Sequence, residues 1–448
     1  MKRREFLMTL GLSTAGMMIP TVPSIAFTNE RKANAVPKKS PNNQVNLGFI
    51  GLGQQAAYLV GSFLRLPGVR VVCGADVYDI KRTRFINQVT AYYKEQGEKK
   101  VKVDCYEDYQ NVLSRKDVDA VVIATPDHQH AIIGIAAAKA GKDIYMEKPL
   151  TLTIYEGQQL VKAVRKYGVI LQVGSMQRSF DEFAYGTSLC REGLLGKIEK
   201  IKVYVGRNEY NKDSGCPVPR SLPAEECPAG LNWDKWLGPL PTSVKYHSDF
   251  NPKLDERGRD LCWGKWRWFK ETGGGLMTDW GAHMFDIAQW AIGKDGSGPV
   301  KVIPAGYRQY DSLTYLYDNG IIMTEEPING PEAGVQIYGE EGTLAIFRGK
   351  YITDNPKFAH ELIQGKSGYA CTAWHHQNFI DAVREHIDPL VPVETGHTSN
   401  IVCCIGNIAT ELKRPVIWNP IVQKFMNDTE AQKMTSYQYR EGYDLEIK

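Results

Sequence analysis

The segment VNLGFIGLGQQAA, residues 45–57, decides the fold of this chain. Its apolar first half predicts a buried strand, the GLG that follows predicts a tight turn, and the remainder predicts the start of a helix. Gly51 permits the turn, and Gly53 lets the backbone approach a pyrophosphate closely. A helix beginning near Gln54 would direct free N–H groups and its positive dipole end at that pyrophosphate. Ala56 occupies the place of a third glycine, which the pattern tolerates.

An acidic residue at the end of the next apolar run strengthens this interpretation. Residues 69–75 predict a second strand, and Asp76 follows it, 23 positions after Gly53. At about this spacing a carboxylate accepts hydrogen bonds from the adenosine ribose hydroxyls and repels a 2′-phosphate. The sequence therefore predicts NAD as the cofactor. Lys81 and Arg82 lie close enough to leave NADP open, and a purely structural glycine turn is the alternative.

Predicted strands and helices alternate from residue 45 to about residue 174. The run VDAVVIA at 118–124 is apolar throughout, as expected of a strand covered on both faces. Such alternation predicts a doubly wound parallel sheet. We assign residues 44–174 to an α/β Rossmann dinucleotide-binding domain, in which Asp127 is expected to cap a helix over 130–140.

The pattern changes in the second half of the chain. Short segments of alternating hydrophobicity recur between residues 197 and 347, joined by turn signals such as DNG at 318–320. Helices are predicted over 278–292, 372–386 and 399–412. Residues 175–420 are therefore predicted to form an α+β C-terminal domain with a mainly antiparallel open sheet, and 421–448 a tail.

The N-terminus carries signals of export. A pair of arginines precedes a mildly apolar run over residues 6–19, and small residues at the −3 and −1 positions suit cleavage after Ala26. The pair resembles a twin-arginine signal, so we expect a signal peptide over 1–26, a linker over 27–43 and a periplasmic location. The apolar run is shorter than the about 20 residues that span a bilayer, so no span is expected in the mature chain. A frayed basic N-terminus is the alternative.

Charge and cysteine content exclude several classes of protein. The net charge is +3 and no basic cluster is interleaved with aromatics, so no nucleic-acid partner is expected. The nine cysteines form no CxxC pair and no zinc spacing, and His128 and His130 lack converging acids, so no metal is expected. Cys216 and Cys227 share a proline-rich loop and would be able to pair in an exported protein; two free thiols are the alternative.

Two further motifs place titratable groups at the expected ligand edge. YMEKP at 145–149 follows a strand at its C-terminal end, where open α/β sheets bind ligands, so Lys148 is placed to stabilise an alkoxide. In GGGLMTDWGAHMFD, residues 273–286, Asp279 and His283 are four apart on a predicted helix and share a face. An acid beside a histidine is expected of a general base. A surface Glu-Lys-Pro and a capped histidine are the structural alternatives.

A series of motifs in this order resembles one enzyme family. After residue 44 come GFIGLGQQ, ATPDHQHAIIGIAAAKAGKDIYMEKPL, LNWDKWLGPLP, WRWFKETGGGLMTDWGAHMFD, HHQNFIDAVREH and EAQKMTSYQYREGYDL. Together they resemble the glucose–fructose oxidoreductase and inositol dehydrogenase family (Gfo/Idh/MocA). The resemblance implies a nicotinamide cofactor, a carbohydrate or polyol substrate, and a homo-oligomer, dimer or tetramer, joined through the open sheet. It also implies a catalytic triad of Lys148, Asp279 and His283.

The roles of the triad follow from its chemistry. His283 would remove the hydroxyl proton, Lys148 would stabilise the alkoxide, and Asp279 would position His283 or a neighbouring hydroxyl. The predicted cofactor-binding residues are Gly51, Gly53, Gln54, Gln55, Asp76, Thr125, Pro126, His130, Glu147, Lys148, Gln177 and Arg178. The predicted substrate-binding residues are Lys148, Arg178, Trp266, Asp279, His283 and His375.

Three functions follow as hypotheses. The first is an exported NAD(P)-dependent oxidoreductase that acts on a sugar, polyol or glycoside hydroxyl and recycles a tightly held cofactor, with the tail as a candidate lid or inter-subunit arm. The second is NAD-dependent glycoside cleavage by oxidation, elimination, hydration and reduction, although TDWGAH at 278–283 departs from the Tyr-Pro-Thr-His-Gly-like segment of such glycosidases. The third is a non-catalytic ligand sensor, against which the presence of Lys148 and His283 argues.

Overall fold

The computed structural model of this protein describes residues 44–330, 332–360 and 372–447. The predicted signal peptide at 1–26 and linker at 27–43 lie outside these ranges, as does Cys371. Within them, no helix combines the length and the apolar character that a bilayer span requires.

The first part of the chain forms a six-stranded parallel sheet with helices on both faces. Its elements are β1 Val45–Ile50, α1 Gln54–Phe63, β2 Val69–Ala75, α2 Asp79–Glu95, β3 Asp104–Tyr106, α3 Gln110–Leu113, β4 Ala120–Ile123, α4 Asp127–Lys139, β5 Asp143–Met146, α5 Ile154–Tyr167 and β6 Leu171–Val173. The strand order is β3-β2-β1-β4-β5-β6. The order reverses between β1 and β4, and ligands of such sheets bind where this reversal opens a crevice. The predicted Rossmann class is confirmed.

One local prediction in this domain is wrong. Asp127 does not cap a helix over 130–140, because α4 begins at Asp127 itself and its N-cap is Pro126. The Pro126 φ of −60° already suits a helix start, so the chain enters the helix three residues earlier than the sequence pattern suggested. As a result, the Asp127 side chain is available for another role.

The second half of the chain forms a nine-stranded sheet. Its elements are α6 Asp181–Arg191, β7 Ile198–Tyr204, α7 Trp233–Leu237, α8 Leu276–Asp279, α9 Gly281–Ala291, β8 Lys301–Ile303, β9 Leu313–Leu316, β10 Ile322–Glu325, β11 Gly334–Gly339, β12 Gly342–Phe347, β13 Lys350–Thr353, α10 Thr372–Glu385, α11 Val393–Leu412, β14 Val416–Asn419, β15 Lys424–Phe425 and α12 Thr429–Lys433. The order is β13-β12-β11-β7-β10-β9-β8-β14-β15. Among the described strands of this sheet, only β7 and β10 pair in parallel, which confirms a mainly antiparallel sheet.

Several predicted boundaries in this half need correction. The helix expected over 278–292 is two helices, α8 and α9, separated at Trp280. Strands β13, β14 and β15 had no prediction, because two to four residues at a sheet edge carry too little alternation to recognise. Residues 208–262 form a long irregular loop, and the five-residue α7 is the only helix inside it. Cys216 and Cys227, both in that loop, are free thiols.

Two late helices join the two sheets. α11 packs between α5 of the first domain and α9 of the second. α10 returns to the first domain, where Phe379 and Ile380 are fully buried in the same apolar cluster as β1. The first domain therefore includes part of the 175–420 region in its core.

We expect Gly157→Ala to destabilise this junction. A Cβ at Gly157 would lie 2.3 Å from Nδ1 of His397 on α11, so the α5–α11 contact must open. Overpacking of this kind costs about 1–3 kcal/mol. Thermal unfolding should show a lower Tm, whereas Gly296→Ala, whose Cβ would meet no atom within 4 Å, should leave it nearly unchanged. Equal Tm values for both variants would contradict this packing.

Candidate active site

A cavity of about 470 Å³ lies at the reversal point of the parallel sheet. One side is formed by the turn after β1, the end of β2 and the turn after β4. The other side is formed by the loop between β7 and α8, through residues such as Trp236, Phe250 and Trp266. Tyr443 from the C-terminal tail completes the wall. The cavity is therefore enclosed by three separate parts of the chain.

The glycine turn of this cavity fits a dinucleotide. Gly51 has a φ of +79°, and a Cβ there would lie 2.8 Å from the backbone nitrogen of Thr125. A Cβ at Gly53 would meet no atom within 4 Å, so open space lies above the start of α1. No side chain caps α1, which leaves the first N–H groups of that helix, at Gln54 and Gln55, facing this space. Such a helix start is suited to a pyrophosphate.

Asp76 organises the opposite end of the cavity. Its Oδ2 accepts a hydrogen bond from Leu52 N at 2.6 Å, and its Oδ1 accepts one from Tyr78 N at 2.8 Å. The carboxylate thereby ties the glycine turn to the end of β2. Of the other predicted cofactor residues, Thr125 and Pro126 also line this cavity.

A second cavity of about 580 Å³ adjoins the first. The two share wall residues, including Gln55, Thr125 and Trp266. Eight predicted site residues line the second cavity: Gln54, Gln55, Thr125, Glu147, Lys148, Trp266, Asp279 and His283. The structure therefore brings the predicted triad together beside the dinucleotide cavity.

An ion pair between the two domains dominates this second cavity. Lys148 Nζ donates to Asp279 Oδ1 at 2.6 Å and to the Asp279 backbone oxygen at 2.8 Å. Arg267 Nε lies 3.5 Å from the same carboxylate oxygen. Burial raises the pKa of Asp279, but the charges of Lys148 and Arg267 outweigh burial and hold that pKa below its ordinary value. Asp279 is therefore an anion that positions Lys148.

His283 is a neutral base in this arrangement. Burial, followed by the charges of Arg348 and Lys148, lowers the pKa of His283 well below its ordinary value. Its Nδ1 has no hydrogen-bond partner among the described residues. Asp279 was predicted to position His283 or a neighbouring hydroxyl. In the structure its carboxylate bonds Lys148, and the break at Trp280 separates the helices of Asp279 and His283.

The cavity also contains groups that sequence reasoning missed. Asp127 lines it, and burial raises the pKa of that carboxyl to about 8. Arg267 reaches the ion pair, and Arg348, from the turn after β12, lies over the Trp280 ring at 4.5 Å. Arg267 belongs to the family motif WRWFKETGGG but was not predicted as a site residue, and no local sequence pattern marks Arg348, an arginine in a β-turn, as one.

Four predicted site residues do not line either cavity. His130 is buried with its ring nitrogens 2.8 Å from Pro149 O and 3.0 Å from Thr125 O, so it supports the two loops. Gln177 is buried. His375 contacts Val173 O at 2.9 Å.

Arg178 is the fourth of these residues. It donates from Nε to Asp286 at 2.8 Å and from Nη2 to Asp295 at 2.7 Å. Its guanidinium is thus engaged in a buried ion-pair cluster, which also explains the place of Asp286 in the motif that contains the triad. Within the described ranges, no group of three His, Cys, Asp or Glu side chains is arranged to hold a metal.

Comparison with known proteins finds a family match for each half of the chain. Residues 45–175 match the description "Oxidoreductase family, NAD-binding Rossmann fold", and residues 187–445 match "Oxidoreductase family, C-terminal alpha/beta domain". The chain belongs to the Gfo/Idh/MocA oxidoreductase family. The cofactor that this family's first domain binds, NAD, is the one that Asp76 and the glycine turn predict.

Individual relatives of this Gfo/Idh/MocA protein have more than one activity. The chain is 28% identical over 318 residues to scyllo-inositol 2-dehydrogenase (NAD(+)) of Bacillus subtilis, covering 68% of this chain and 74% of the relative. It is 30% identical over 215 residues to a glycosyl hydrolase family 109 protein of Shewanella pealeana, covering 44% of each. A solved scyllo-inositol dehydrogenase from Lactobacillus casei, with bound NAD(H) and scyllo-inositol, shares the fold at a TM-score of 0.54 and 17% identity, covering 84% of this chain and 99% of that chain.

We expect Asp127→Asn to remove a pH-dependent loss of stability. A carboxyl whose pKa is raised on folding, here from 3.8 to about 8, favours the folded state at low pH and costs stability as pH rises between those values. The amide of the variant does not titrate, so its Tm advantage over the unsubstituted protein should grow from pH 5 to pH 8. Glu95→Gln, at an exposed position on α2, provides the control. A Tm difference that is constant with pH would contradict a protonated Asp127.

Proposed function

We propose that this Gfo/Idh/MocA oxidoreductase oxidises a hydroxyl of a sugar, polyol or glycoside, with Lys148 and His283 as the reacting side chains and Asp279 as the residue that positions Lys148. One observation carries the proposal: a cavity that contains the Lys148–Asp279 ion pair and the neutral His283 opens onto the dinucleotide cavity. NAD held there would supply the hydride acceptor.

Each side chain has a step that suits its charge. His283 is unprotonated and accepts the hydroxyl proton as the C–H bond breaks. Lys148 carries the N–H groups that stabilise the oxygen as negative charge develops on it. Asp279 holds the Lys148 ammonium in place through two contacts below 3 Å.

The aromatic walls support a carbohydrate as the substrate. Trp263, Trp266, Trp268 and Trp280 line the second cavity, beside Arg267. Flat apolar rings pack against the C–H faces of a pyranose or cyclitol, while charged side chains bond its hydroxyls. Scyllo-inositol, the polyol named for two inositol dehydrogenase relatives, likewise has C–H groups and hydroxyls.

We predict that Lys148→Ala and His283→Ala each lower turnover by roughly 10²–10⁴-fold, because a positioned acid–base group contributes about that factor. Asp279→Ala should cost less if its role is to position Lys148. The measurement is NADH absorbance with a panel of sugars, polyols and glycosides. Lys270→Ala, which breaks an exposed ion pair with Glu411, is the matched control. Near-normal turnover in either of the first two variants would show that the site is misplaced.

We also propose that the protein is exported to the periplasm and keeps its cofactor. The twin-arginine-like N-terminus supports export, and a dissociating dinucleotide would be lost outside the cytoplasm after one turnover.

The loop between β7 and α8 and Tyr443 cover the dinucleotide cavity. Arg440 of the tail donates to Asp234 at 2.5 Å, so tail and loop hold each other. These contacts favour the tail as a lid of the same chain, and internal recycling would make the net reaction redox-neutral.

Retention of the cofactor is tested by extraction. Protein purified without added dinucleotide and then denatured should release roughly one equivalent of NAD or NADH per chain, detected by mass spectrometry. Arg440→Ala should lower that amount, since the tail loses its contact with Asp234 in the loop between β7 and α8, which we call the covering loop. Protein that is free of cofactor, needs added NAD and releases NADH stoichiometrically would overturn retention and leave the dehydrogenase chemistry intact.

A second candidate function is glycoside cleavage through transient oxidation. The match to the family 109 protein supports it, as does Asp127, a carboxyl that keeps its proton near neutral pH and suits protonation of a leaving oxygen. Aglycone released from a glycoside panel without net NADH would select this function. Oxidised glycoside without aglycone release would select the dehydrogenase.

A ligand sensor remains the third candidate, and the complete triad argues against it.

For the assembly, we propose a homo-oligomer, dimer or tetramer, formed through the open sheet. The exposed apolar side chains Ile417, Ile421, Val422 and Met426 near β14 and β15 support such a contact. Light scattering after gel filtration measures the mass.

A further inference from the structure

Three cationic side chains of α2 lie close to Asp76, at the end of the cavity where the adenosine ribose is expected. They are Lys81, Arg82 and Arg84. The charge of Asp76 acts on both Lys81 and Arg84, which places these cations near that carboxylate. Cations beside the ribose site are what a 2′-phosphate requires. Taken by themselves, they would favour NADP.

A carboxylate from the covering loop engages two of these cations. Asp260, between β7 and α8, contacts Lys81 Nζ and accepts from Arg84 Nη1 at 2.8 Å. The side chains of Lys81 and Asp260 are only 1% and 4% exposed, so water screens this cluster weakly. Arg84 donates further to Gly258 O at 3.1 Å and to Leu52 O. Both cations are thereby committed to partners within the protein.

The third cation is committed as well. Arg82 Nη1 donates to the Asp76 backbone oxygen at 2.7 Å. Asp76 and Asp260 line the dinucleotide cavity, whereas Lys81 is buried behind the wall. The surface that meets the ribose therefore presents two carboxylates, one from each half of the chain.

We propose that Asp260 is a specificity residue that selects NAD over NADP. Asp76 accepts the ribose hydroxyls, and Asp260 neutralises Lys81 and Arg84 and adds a second negative charge at the same wall. A 2′-phosphate would have to displace Asp260 from both cations before they bind it. Selectivity thus depends on the covering loop as well as on the Rossmann strand end.

A purely structural role for Asp260 makes a different prediction. If Asp260 only fastened the loop, its loss would weaken NAD and NADP in equal proportion. If Asp260 selects the cofactor, its loss frees two cations for a phosphate and changes the ratio of the two affinities. The ratio of the NADP and NAD affinities therefore distinguishes a structural role of Asp260 from a role in cofactor selection. The measurement requires no knowledge of the substrate.

The test is competition between the two dinucleotides. Purified protein is equilibrated with equimolar NAD and NADP until the bound composition is constant, separated from free dinucleotide and denatured. Both cofactors are then quantified by mass spectrometry. Asp260→Asn should shift the bound NADP to NAD ratio by roughly tenfold or more toward NADP, since hydrogen bonds to charged groups are strong.

Two further variants serve as controls for this measurement. Glu256→Gln removes the same charge from an exposed position of the same loop and should leave the ratio unchanged. Combining Asp260→Asn with Arg84→Met should reduce the shift, because one of the two released cations is missing. Asp260→Ser replaces Asp260→Asn if circular dichroism shows the latter to be misfolded. An unchanged ratio, or equal loss of both cofactors, would overturn the proposal.

Discussion

The ion pair between Lys148 and Asp279 is the contact on which the site depends. Lys148 follows the last residues of β5 in the first domain, and Asp279 ends α8 in the second. Both side chains are largely buried, where an uncompensated charge costs about 3–5 kcal/mol. The two domains therefore have to meet at this point for either residue to be tolerated. After burial and the charge of Arg348, the Lys148 charge also lowers the pKa of His283, so the same contact influences the protonation of that histidine.

The covering loop is fastened to the first domain by hydrogen bonds from α4 and is held together by stacked aromatic rings. His128 Nε2 lies 2.8 Å from Trp236 O, and Gln129 donates to the same oxygen at 2.7 Å. Trp233 stacks on Trp236 with ring centroids 4.3 Å apart, and Phe250 continues the stack. These aromatic layers give an otherwise irregular loop a rigid core. The histidines of the ATPDHQH motif hold this loop and its neighbours in place.

The sequence predicted those parts of the site that are local. The glycine turn, Asp76 and Lys148 each follow a strand whose apolar run is visible in the chain, and the order of strands and helices decides where those ends meet. Arg267, Arg348 and Asp260 were beyond sequence reasoning, because their importance arises from partners far away in the chain. Arg178 shows the opposite error: a residue at a strand end was expected in the cleft, but Asp286 and Asp295 bind it inside the protein.

The return of α10 to the first sheet has a consequence for synthesis. Phe379 packs edge-on against Phe63 and Tyr145 with centroids 6.3 and 5.7 Å away, and His376 stacks on Phe63 at 4.6 Å. These contacts join residues that lie far apart in the chain. The nucleotide domain therefore cannot complete its core until α10 has been translated, after β7–β13 of the nine-stranded sheet, so both domains must reach much of the native state late and together.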